Sequence, residues 1–103
     1  MSKNEEGKYR PTLLYISFIK EVSRVRMFGI KKYGEPGEDW RTTESIRHFD
    51  AMLRHIFAFL DGEEVDSESG LSHLAHAATN LMFEIERREA RGVQSQSLIV
   101  KDL

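Results

Sequence analysis

The chain reads as an all-α protein. Three stretches carry apolar residues at helical spacing, glycine-bearing breaks separate them, and almost no alternating strand pattern is present. The 103 residues make one domain, and the composition is that of a soluble globular chain, with 40% hydrophobic and 31% charged residues. Three long helices in so short a chain bury more easily against a second copy than alone. The expected assembly is therefore an oligomeric helical bundle, at least a homodimer.

Residues 1–10 are polar and charged and read as a flexible N-terminal segment. The domain is expected over 11–92. Helix 1 is predicted at about Pro11–Lys31, because Pro11 suits a first turn and Leu14, Phe18, Val22, Val25 and Met27 follow at helical spacing. Two glycines and Pro36 then mark a loop through Arg41. Thr42 or Thr43 can cap helix 2, predicted at about Thr43–Asp61, with Gly62 placed to end it. Its apolar stripe is Ile46, Phe49, Leu53, Ile56, Phe57 and Leu60. Helix 3 is expected at about Glu68–Arg91, capped by Asp66, Ser67 or Ser69, with Leu71, Leu74, Ala78, Leu81, Met82 and Ile85 as its stripe. Residues 93–103 form a C-terminal tail, in which Leu98-Ile99-Val100 reads as a short extended arm.

Several classes are excluded or disfavoured. The net charge of −2 excludes nucleic-acid binding by bulk basicity. The link between helices 1 and 2 is too long for a helix-turn-helix, and the start of helix 3 is acidic, so no direct nucleic-acid binding is expected. No apolar run is long enough to cross a membrane, and the polar N-terminus lacks a secretory pattern. A cytoplasmic location is expected. There is no cysteine, so any metal must be held by oxygen or imidazole.

The charge is unevenly placed. Residues 1–41 hold nine Lys/Arg against six Asp/Glu, a net of +3, and residues 42–103 hold six against eleven, a net of −5. Asp61, Glu63, Glu64, Asp66 and Glu68 put five acids in eight residues. An acidic run usually faces water. Here it leads into His73, His76 and Asn80, which share one helix face that Glu84 continues, while His48 and His55 share a face of helix 2. A polar stripe bordered by Leu and Ala suggests a lined pocket, whereas a solvated face would carry Lys and Glu. Carboxylates with imidazoles favour Mg²⁺ or Mn²⁺, with Zn²⁺ as a further candidate. Lys31, Lys32, Arg41 and Arg54 could meet phosphates, and Tyr33 and Trp40 could stack on a base.

The segments Phe28-Gly29-Ile30-Lys31-Lys32-Tyr33-Gly34, Asp39-Trp40-Arg41, Ala51-Met52-Leu53-Arg54-His55 and Gly62 through Ala77 together resemble the N-terminal domain of the phage dATP/dGTP diphosphohydrolases. That family is grouped with the all-α, MazG-like nucleoside triphosphate pyrophosphohydrolases. The resemblance spans about Leu13–Glu89. It implies metal-dependent hydrolysis of a (deoxy)nucleoside triphosphate, a purine dNTP by the family's name, to monophosphate and pyrophosphate. Carried onto this sequence, it makes Glu63 and His55 catalytic candidates, with His55 a ligand or an orienting partner. Glu21, Asp66, Glu68, His73 and His76 become metal candidates. Lys32, Tyr33, Trp40, Arg41, Arg54 and Asn80 become substrate-binding candidates. The wider MazG-type pattern, Glu-x-x-Glu on one helix and Glu-x-x-Asp on the next, is not matched: Glu63-x-x-Asp66 falls in a predicted loop, and Glu86-x-x-Glu89 lies among arginines. An alternative stays open, a non-catalytic helical interaction or nucleotide-sensing module in which the polar stripe forms a dimer core.

Overall fold

The computed structural model describes residues 6–34, 39–90 and 92. The Leu98–Val100 arm lies outside the described residues, as does the whole tail, 93–103. Three helices form: α1 at Ile16–Tyr33, α2 at Ser45–Leu60 and α3 at His73–Ala90. Single 3-10 turns stand at Pro11–Leu13 and Asp39–Arg41. Among the described residues there is no strand, only an isolated antiparallel bridge between Val65 and Ser72. The fold is all-α, as the sequence predicts. No helix among the described residues is long and apolar enough to cross a membrane.

The helix starts differ from those predicted. Pro11 opens a lone 3-10 turn, Leu14 is extended, and α1 begins only at Ile16. Its far end runs on to Tyr33, where Gly34 at φ 86° stops it. At α2 the capping position is Glu44, with no side-chain cap bond, one residue beyond Thr43. Its other end follows the prediction: Gly62 (φ 100°) donates to Phe59 O at 2.9 Å and Glu63 N–H donates to Ala58 O at 3.0 Å, a Schellman closure. Helix α3 starts five residues later than expected. Asp66 accepts the N–H groups of Glu68 and Ser69 in a side-chain turn, which holds the loop out of helix. Ser72 is the cap, accepting from Leu74 N–H at 3.1 Å and Ala75 N–H at 3.3 Å.

Helix α3 packs against both α2 and α1, whereas the backbones of α1 and α2 stay more than 8 Å apart. An open cleft therefore lies between α1 and α2, floored by α3. The side chains that turn inward are mostly small or polar. The buried apolar residues are Val22, Val25, Ala75 and Ala77, and with them are buried His48, His73, His76, Thr79 and Glu84. The long apolar side chains of the predicted stripes face outward: Ile16 (68% exposed), Phe57, Leu60 (72%), Leu74, Leu81 and Ile85. The stripes exist, but within one chain they cover one another little.

Candidate functional site

The cleft has a volume of about 660 Å³, within the range of small-molecule sites. Helix α1 contributes Phe28, Lys32 and Tyr33 to its wall. Helix α2 contributes His48 and His55, α3 contributes His76, Asn80 and Phe83, and the preceding loop contributes Asp66 and Glu68.

At one end three imidazoles meet. His55 Nδ1 and His73 Nδ1 lie 2.8 Å apart, and the His55 ring stacks on His76 at 4.5 Å, nearly parallel. The chain reversal between α2 and α3 explains this. His55 is near the end of α2, His73 and His76 open α3, and the tight loop folds one onto the other. His76 Nε2 lies 2.7 Å from Ser69 Oγ, and Phe28 of α1 meets its ring edge-on. Ligand atoms of His55, Asp66 and His73 all fall within 4.8 Å of one another. Glu63 Oε1 stands 3.5 Å from His73 Nε2, a buried nitrogen with no hydrogen-bond partner among the described residues.

Electrostatics favour the neutral rings of His55 and His76 and the ionised carboxylate of Asp66. Burial pushes the His55 ring below its ordinary value, and the His76 and His73 rings push the same way. Burial likewise lowers His76, against the attraction of Asp66 and Glu68. Burial would raise the Asp66 carboxyl. The Ser69 backbone N–H, the His76 ring, the Ser69 hydroxyl and the Glu68 N–H outweigh it and hold Asp66 below its usual range. Across the cleft mouth Lys32 Nζ donates to both carboxylate oxygens of Glu68, at 2.8 and 2.9 Å. That bond, assisted by Tyr33, raises Lys32.

Of the residues singled out in the sequence, Lys32, Tyr33, Trp40, His55, Asp66, Glu68, His76 and Asn80 come together on the cleft wall. His73 and Glu63 stand directly behind it, against His55 and each other. Asn80 uses its amide to donate to His76 O at 3.0 Å. Trp40 stacks flat on Phe83, centroids 5.3 Å apart and 5° between planes, so one ring face is taken by α3. Arg41, whose guanidinium lies 5.3 Å from the Trp40 ring, and Arg54 are exposed and outside the lining. Glu21 is also outside it, on α1, 3.8 Å from Arg24.

At the other end is a group that the sequence reading noticed but did not assign. Glu84, 2% exposed, accepts from Ser45 Oγ at 2.5 Å and pairs with His48 Nδ1 at 2.9 Å. Arg87 Nη1 donates to Ser45 Oγ, and Arg88 Nε lies 3.4 Å from the carboxylate. Burial would raise Glu84, but the Ser45 and His48 hydrogen bonds and the Arg88 charge hold it below its ordinary value. The signal was present in the sequence. Glu84 continues the His73–His76–Asn80 line, and His48 lies two turns before His55 on one face.

Fold and site thus define a class: an all-α protein whose cleft sets imidazoles and carboxylates against a lysine. The family described as "dATP/dGTP diphosphohydrolase, N-terminal" matches residues 1–96, and the chain belongs to it. It is 38% identical over 81 residues to a protein named dATP/dGTP diphosphohydrolase from Salmonella phage PMBT28. That match covers 79% of this chain and 27% of the phage protein, so the chain spans about a quarter of that relative's length. No solved structure matches the chain.

Proposed function

We propose that this cleft binds a deoxynucleoside triphosphate, a purine dNTP by the relative's name, and hydrolyses it to the monophosphate and pyrophosphate with a divalent metal ion. The observation that carries this is the convergence of His55, Asp66 and His73 ligand atoms beside the Lys32–Glu68 pair, at one end of a nucleotide-sized cleft. The donor set fits an ion. Two ring nitrogens 2.8 Å apart, with a carboxylate beside them, suit Mn²⁺ or Zn²⁺, while Mg²⁺ would draw on the oxygens of Asp66 and Glu68. When bound, such an ion supplies charge to the phosphates and makes a water more acidic.

The chain's own residues do the rest. Lys32 exchanges Glu68 for a phosphate oxygen and neutralises its charge, which frees the Glu68 carboxylate. Glu63, half-exposed behind His73, accepts the proton of the attacking water. The water oxygen bonds to the α-phosphorus, the bond from that phosphorus to the bridging oxygen breaks, and pyrophosphate leaves. The working unit is proposed to be a homo-oligomer, because the apolar stripes lie open in one chain.

The test is a panel of nucleoside and deoxynucleoside triphosphates with and without Mn²⁺, Mg²⁺ or Zn²⁺. Products are resolved as pyrophosphate, triphosphate or orthophosphate. Metal-dependent pyrophosphate release is expected, abolished by His73→Ala or Glu68→Ala in folded protein. Folded wild-type protein that leaves every substrate intact with all three metals would sink the proposal. The exposed apolar faces favour a second reading, a non-catalytic interaction module. In that case His73→Ala would disturb assembly, no turnover would be seen, and the pure protein would carry no metal.

A further inference from the structure

Three side chains from two helices are spent on orienting one imidazole, that of His48. Ser45 and His48 come from α2, and Glu84 and Arg87 from α3. Arg87 donates to Ser45, Ser45 donates to Glu84, and Glu84 takes the Nδ1 side of His48. With the carboxylate ionised, the neutral ring is the Nδ1–H tautomer, and Nε2 is left as an acceptor. His48 is 5% exposed and lines the cleft, and its Nε2 has no hydrogen-bond partner among the described residues. A buried ring nitrogen left unpaired on a residue of the cleft wall is unfavourable unless something arrives to satisfy it.

Its place says what arrives. His48 and His55 lie seven residues apart on one helix face, about 10 Å along the axis. When the triphosphate occupies the His55 end, the nucleoside half reaches towards His48. The surroundings there are aromatic: Phe83 is 6.0 Å from the His48 ring, and Trp40 stacks on Phe83.

We propose that His48 is the nucleoside-reading residue of the cleft: its Nε2 accepts a hydrogen bond from an N–H of the base or an O–H of the sugar. Glu84 is the positioning residue that fixes which nitrogen faces the ligand. This rests on the nucleotide reading of the cleft but not on turnover. Glu84→Gln should invert the device. Ser45 and Arg88 hold an oxygen on their side, so the new amide N–H₂ faces His48 Nδ1, and Nε2 becomes a donor.

The experiment uses uncleavable α,β-methylene nucleotides and calorimetry on the full chain with Mn²⁺. The probes are the dATP analogue, its form lacking the exocyclic amino group, its dideoxy form lacking the 3′-hydroxyl, and inorganic triphosphate. Wild type should bind the parent at least about tenfold more tightly than one of the two truncated forms, which identifies base or sugar as the source. Glu84→Gln should erase that preference and leave inorganic triphosphate binding within about twofold. Nitrogen-15 spectra of the wild type should show His48 as the Nδ1–H tautomer, with Nε2 shifting on nucleotide but not on inorganic triphosphate. Should Glu84→Gln fail to fold, the wild-type spectra and the truncated nucleotides decide alone. Equal binding of all three nucleotides, an unmoved Nε2, or no nucleotide binding at all overturns the inference. Nucleotide binding with intact discrimination but no hydrolysis would instead overturn the catalytic proposal and leave this one standing.

Discussion

Glu84 is the most deeply buried charge described, and its neighbours explain why it is tolerated. A carboxylate out of water is stable only when its oxygens are occupied, here by Ser45, His48 and the arginines of the next turn. Removing it leaves His48 Nδ1 and the Ser45 hydroxyl proton without their acceptor, so Glu84→Ala should lower unfolding stability by about 3–5 kcal/mol, read from denaturant midpoints. Its pH behaviour follows from the direction of its shift. The folded carboxyl titrates below its unfolded value, so its contribution is full above the ordinary glutamate range. That contribution is lost as pH falls through the folded value. Thermal unfolding from pH 7 down to pH 3 should show a loss below about pH 4.5 that is shallower in Glu84→Gln. An identical slope in both proteins would show that Glu84 is not the group responsible.

Between α2 and α3 the chain must reverse quickly enough to lay His55 on His73 and His76. The Gly62 closure ends α2, and the Asp66 side-chain turn, the Val65–Ser72 bridge and the Ser72 cap start α3. Asp66 serves both purposes, since the N–H groups that shape the turn also keep its carboxylate ionised beside the imidazoles. Ser72→Ala should cost about 1 kcal/mol by removing the acceptor for two N–H groups of α3. Urea denaturation checks this. An unchanged midpoint would mean that the turn, rather than the cap, defines the start of the helix.

At the scale of the molecule, polarity is distributed unusually. The interior holds histidines, a glutamate, a threonine and small apolar residues, while Phe57, Leu60, Leu74 and Ile85 lie exposed. Fully burying a side chain of this kind contributes about 1.5–3 kcal/mol, so stripes left open in one chain favour association. Light scattering should therefore report a dimer or larger species at micromolar concentration, and Leu60→Glu should lower the mass and the melting temperature together. A wild-type monomer would refute the oligomeric part of the proposal.

The amino-acid pattern by itself determined that the chain is all-α, where its breaks fall, and that acids and histidines cluster along two helices. Gly62 was legible as a helix end because a positive φ there favours glycine. The true start of α3 was not, since Asp66, Ser67, Ser69 and Ser72 are all competent caps, and only their hydrogen bonds distinguish them. Most of the cleft residues were legible from type and order. Glu21, Arg41 and Arg54 stood with them in the sequence but not on the cleft wall. Periodicity defines the faces of a helix without saying which face meets a neighbour. Only the packing of α1 and α2 on α3, with their backbones apart, opened the cleft, turned the histidine faces inward and left long apolar side chains such as Phe57, Leu60 and Leu74 exposed. The same packing set His48 against Glu84, 36 residues apart, a pairing no local spacing encodes.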